Sequence, residues 1–103
     1  MEKAPQGAED IAALLDYLWL QEGLADSSLH SYRSDLQLAQ AYLSVPLREA
    51  SREELAQWLA VMQESGKSAA TRARMRAALM RFYRFALAQN WRGRKFAANC
   101  RLY

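Results

Sequence analysis

SAATRARMRAALMRFYRFALAQNW, residues 68–91, joins a strong helical repeat to a concentration of arginine. At roughly 100° per residue, Met75, Ala78, Leu79, Phe82, Tyr83 and Ala86 fall on one side, the spacing of a helix that buries one face. The same rotation gathers Arg74, Arg81 and Arg84 on the opposite side with Ala77 and Ala88, while Arg72 and Arg76 flank the apolar stripe. No Asp or Glu stands three or four residues from any of these arginines, where a merely solvated helix usually carries compensating charge. One helix is therefore expected to bury an aromatic face and to present a guanidinium face bare of acids.

The composition supports helices throughout. The 103 residues hold only four Gly and two Pro, and 51% are hydrophobic, which fits a single all-α domain with one core. The net charge of +3 conceals a division along the chain. Residues 1–66 carry all eleven acids against four basic residues, net −7; residues 67–103 carry ten basic residues and no acid. A chain so polarised offers one strongly positive side to a polyanion, and duplex DNA is the expected partner. An anionic membrane fits less well, because the basic helix also supplies core aromatics and cannot lend them to lipid.

Several classes of chemistry are set aside. Cys100 is the single cysteine and His30 the single histidine, so neither a disulfide framework nor a zinc site is expected, and no metal or cofactor. No run approaches the length of a membrane span, and MEKAPQGAED has no signal-peptide hydrophobic region, so a cytoplasmic protein is expected.

The rest of the chain builds a bundle around residues 68–91. Residues 1–8 read as a flexible lead-in, 9–91 as the domain, and 92–103 as a basic tail, either disordered or a short helix over 95–101. A first helix is expected over 9–22, with Ile11, Leu14, Leu15 and Leu18 inward and Trp19 and Leu20 off that stripe. Gly23 ends it, and Asp26 is expected to cap a second helix over 27–43 whose core side is Leu29, Tyr32, Leu36, Ala39 and Leu43. Its other side carries Ser27, His30, Ser31 and Ser34, small donors that let a backbone or phosphate approach. Pro46 interrupts the chain in a linker. Ser51 and Glu54 then form a capping box for a third helix with Leu55, Trp58, Leu59 and Met62 inward. Gly66-Lys67 is a short joint before Ser68, so the third and fourth helices should be neighbours.

IAALLDYLWLQEGLADSSLHSYRSDL, residues 11–36, followed by the fourth helix, resembles the N-terminal SAM-like or core-binding domain of tyrosine recombinases, the phage integrase group that includes the Xer recombinases. The resemblance rests on Ser28 with Tyr32, Arg33, Asp35 and Leu36, and on Thr71, Arg74, Leu79, Phe82 and Tyr83. It implies a compact four-helix orthogonal bundle forming half of a DNA clamp, with the second and fourth helices against the duplex. Carried over by residue, it puts Ser28, Ser31, Thr71, Arg74, Met75 and Ala78 on or near DNA. The helical count adds Arg81 and Arg84, and contact with phosphate rather than with a base is the expected role of Arg74.

The resemblance also implies other recombinase protomers on the DNA and a catalytic domain with an Arg, a His-x-x-Arg and a nucleophilic Tyr. That domain is expected to be missing here, since Trp91 is followed only by RGRKFAANCRLY, and no catalytic residue is expected. Tyr103 has nothing to activate it or to stabilise a pentavalent phosphate. A bacterial or phage protein associated with the nucleoid follows from the same likeness. Two other readings remain open: a helical protein-interaction module using Trp19, Leu20 and the acidic first half, and a helix-turn-helix regulator, against which stand arginines placed well beyond a recognition helix's first turns.

Overall fold

A computed structural model describes residues 7–89 and 91, which form four α-helices and one 3-10 turn. The expectations for the tail and for most of the lead-in lie outside the described residues, as does Cys100. Helix α1 spans Ala8–Glu22, with Glu9 and Asp10 in the first turn, where the helix dipole favours acids. It ends at Gly23, whose φ of 64° lets the Leu24 N–H reach back to the Leu18 carbonyl at 3.2 Å. Helix α2 spans Asp26–Tyr42, α3 Arg52–Glu64 and α4 Ala69–Ala88. No described helix is long and apolar enough to cross a membrane.

Local capping accounts for three of the boundaries and corrects a fourth. Ser51 and Glu54 form the expected capping box: the Glu54 N–H donates to Ser51 Oγ at 3.1 Å, and the Ser51 N–H donates to Glu54 Oε1 at 2.7 Å. Ser68 Oγ likewise accepts from the Thr71 N–H at 3.1 Å and opens α4. Asp26, by contrast, is not a cap. Ala25 holds that position without a side-chain bond, and Asp26 lies inside the first turn.

The core is the sum of the apolar stripes. Ile11, Leu14, Leu15 and Leu18 of α1 meet Leu36, Ala39 and Leu43 of the second helix region, Leu55, Trp58 and Leu59 of α3, and all six expected residues of α4. Leu29, Tyr32 and Met62 are half-buried against it. Helix α4 contacts each of the other three, so its orientation fixes the bundle.

The linker after α2 is more than a connection. Leu47 and Ala50, at the two ends of the 3-10 turn region, are fully buried. Two side chains hold this segment down. Gln40 Nε2 donates to the Val45 carbonyl and Gln40 Oε1 accepts from the Leu47 N–H, both at 2.8 Å, while Tyr83 Oη donates to the Leu47 carbonyl at 2.6 Å. Arg48 then forks onto Asp10 of α1 at 2.5 and 2.8 Å and lies 4.4 Å from the centre of the Trp91 ring. Gln40→Leu keeps the volume but strands the buried Leu47 N–H. It should destabilise the domain by about 2 kcal/mol, read as a lower urea midpoint with an unchanged slope.

Candidate nucleic-acid interface

The α2 residues Ser28, Ser31 and Asp35 follow one another at three- and four-residue steps and therefore share one face of the helix. That face lies beside α4 at Arg74 and Ala77. Together with Tyr32 these residues line an open groove of about 250 Å³. The alanine keeps the α4 wall low, and the two serines supply hydroxyls on the α2 wall.

The groove is organised by one ion pair. Asp35 is only 2% exposed, and both its oxygens accept from Arg74, Oδ2 from Nε and Oδ1 from Nη2, each at 2.9 Å. A carboxylate taken out of water needs such a partner. Arg74 remains 54% exposed in its side chain, and hydrogen bonding to Asp35 holds its guanidinium above its already high usual range. The charge is therefore permanent, but it is no longer uncompensated.

This alters the expected arginine face. The helical count was right that α4 carries no acid, yet a count along one helix cannot see its neighbours. Asp35 of α2 pairs with Arg74, and Glu22 at the end of α1 pairs with Arg81. Arg84 is exposed and makes no ion pair among the described residues. With Arg81, Tyr17 and Phe85 it borders a second shallow depression of about 150 Å³.

The expected contact residues thus separate into groups. Ser28, Ser31 and Arg74 come together in the groove. Thr71 is one turn earlier on α4, half-buried, with its Oγ1 bonded to Ser68 Oγ at 3.1 Å. Met75 and Ala78 are each 1% exposed and belong to the core, so neither can present a side chain to a ligand. The periodicity had already placed them in the buried stripe, and packing follows the periodicity. Asp35, which no reading singled out as a site residue, is the one the sequence left most visible: it is an acid between Tyr32 and Leu36 on the apolar side of α2, where a charge requires a cation opposite.

His30 and Arg33 stand at the His-x-x-Arg spacing of a recombinase catalytic signature. Both are exposed, and Arg33 borders a depression shared with Ala12 and Asp16 of α1, turned away from the Asp35 face. The first turn of α2 is also a poor anion site, since Asp26 already occupies its positive end. Among the described residues no cluster could hold a metal ion.

The phage integrase N-terminal SAM-like domain family matches residues 11–90. The chain is similar to tyrosine recombinase XerD of Pseudomonas aeruginosa, 39% identical over 80 residues, covering 75% of this chain and 27% of that protein. It is similar also to tyrosine recombinase XerD of Shewanella oneidensis, 34% identical over 90 residues, covering 84% and 30%. The same name belongs to a relative in Caulobacter vibrioides, 33% identical over 90 residues with the same coverage. The chain therefore spans less than a third of the length of these curated relatives. No solved structure gives a significant match.

Proposed function

Because this chain belongs to the family of phage integrase N-terminal SAM-like domains, we propose that it binds duplex DNA as the N-terminal module of a site-specific tyrosine recombinase. The observation that carries the reading is the α2–α4 groove, in which Ser28, Ser31 and Arg74 meet although 43 residues separate Ser31 from Arg74. Hydroxyls and a guanidinium on an open, low-walled groove suit the edge of a duplex, whereas a small-molecule site would be deeper and more apolar. Arg84, ten residues on and about 15 Å along α4 at the helical rise, adds an exposed cation with no acid partner among the described residues.

The division of labour follows from membership of this family. Binding and register belong to α2 and α4; strand breakage and rejoining belong to a catalytic domain, with further recombinase protomers completing the assembly on DNA. In this reading the 103 residues hold DNA and do not cut it.

A second reading has one observation in its favour. Trp19 and Leu20 are 53% and 71% exposed, more than a solvated helix end requires, and they suit a protein contact. Fluorescence anisotropy with the 103-residue chain and a labelled duplex at low salt separates the two. Saturable binding that unlabelled duplex reverses is expected; a flat titration would leave only the protein-interaction reading.

A further inference from the structure

A cation intended only for phosphate gains nothing from a carboxylate held against it. Asp35 nevertheless takes two of the five N–H groups of Arg74, those on the Nε–Nη2 edge. One complete donor fork remains, the Nη1–Nη2 end, on a side chain that is half exposed and borders the groove with Ser28, Ser31 and Ala77. The carboxylate offsets much of the attraction that a phosphate would feel, while leaving the geometry of that fork intact. Its burial on α2 also fixes the guanidinium plane before any ligand arrives, so little side-chain freedom is lost on binding. A pre-aimed and largely neutralised fork discriminates by acceptor geometry, and in the major groove guanine O6 and N7 present the matching pair.

We propose that Asp35 and Arg74 form one guanine-reading unit, Arg74 donating its Nη1–Nη2 fork to O6 and N7 and Asp35 serving as the positioning residue. This rests on the reading of the α2–α4 groove as a DNA surface and replaces the phosphate role expected for Arg74. Asp35 then sets specificity without touching the base. It also restrains indiscriminate binding, because it cancels a charge that would otherwise seek any phosphate.

The test is selection by the 103-residue chain from a random-sequence duplex pool, followed by titration of the enriched duplex, a shuffled duplex, and the enriched duplex with 7-deazaguanine at the selected position. The wild type should enrich a guanine and lose about tenfold in affinity when its N7 is removed. Arg74→Ala and Arg74→Gln should no longer enrich that guanine, and neither should respond to the 7-deaza substitution. Asp35→Asn should bind the shuffled duplex more tightly, with a salt slope steeper by about one unit, and should discriminate less. A purely structural Asp35 would change none of these ratios in the folded fraction, and Arg74→Gln, whose amide offers Asp35 a neutral donor, decides the matter should Arg74→Ala or Asp35→Asn not fold. Binding without base preference, or a guanine preference that survives Arg74→Ala or Arg74→Gln, overturns the guanine-reading unit and leaves the DNA surface standing. No binding to any duplex removes both.

Discussion

Phe82→Ala should lower the unfolding free energy by about 3–5 kcal/mol, the range for emptying a fully buried aromatic site. Phe82 has no exposed surface, meets Tyr83 edge-on with ring centres 5.2 Å apart, and is 6.2 Å from Trp91. Its neighbours cannot easily collapse into the gap. Leu79 and Ala86 are fixed on the same helix, and Tyr83 is committed to the Leu47 carbonyl. A domain of this size has roughly 5–15 kcal/mol in total, so the variant should be marginally folded near body temperature. Urea unfolding followed by helical circular dichroism measures it. A midpoint equal to the wild type would mean that α4 is rotated from the orientation described, and the groove-facing position of Arg74 would go with it.

The buried side of α4 was fully legible in the sequence, as were Ile11, Leu14, Leu15 and Leu18 of α1, because apolar period is a local property that one helix carries by itself. The capping residues Ser51 and Ser68 were legible for the same reason. What could not be read were relations between elements. Leu47 and Ala50 lie in a segment too short to show a period, and their burial depends on Gln40 and Tyr83 arriving from two different helices. The acid partners of Arg74 and Arg81 come from α2 and α1, far outside the three- and four-residue reach of one helix's own neighbours.

The candidate site shows the same boundary. Ser28 was named from a resemblance, Ser31 and Arg74 from the resemblance and the helix faces together, and the groove joins all three; Met75 and Ala78 were named from the resemblance, yet the stripe they complete is the core. A residue can belong to a binding helix without belonging to the binding surface. Asp35 shows the converse, since a buried acid shapes the surface through the arginine it holds.

Salt should affect DNA binding more than any single substitution on the surface. If about four phosphates are neutralised, log K falls against log salt with a slope of about −3.6, and raising salt from about 50 to about 200 mM weakens binding about 150-fold. The contributions should be unequal. Arg84 has no acid partner among the described residues, so it meets a phosphate with its full charge, and Arg84→Ala should make the slope shallower by about 0.9. Arg74 is held by Asp35 and releases less counterion on binding, so Arg74→Ala should change the slope by distinctly less while still lowering affinity. Anisotropy titrations at four salt concentrations on one duplex compare the two variants directly. A larger change for Arg74 than for Arg84 would show that the guanidinium leaves Asp35 for the backbone on binding, and the buried carboxylate would then be a partner only of the free protein.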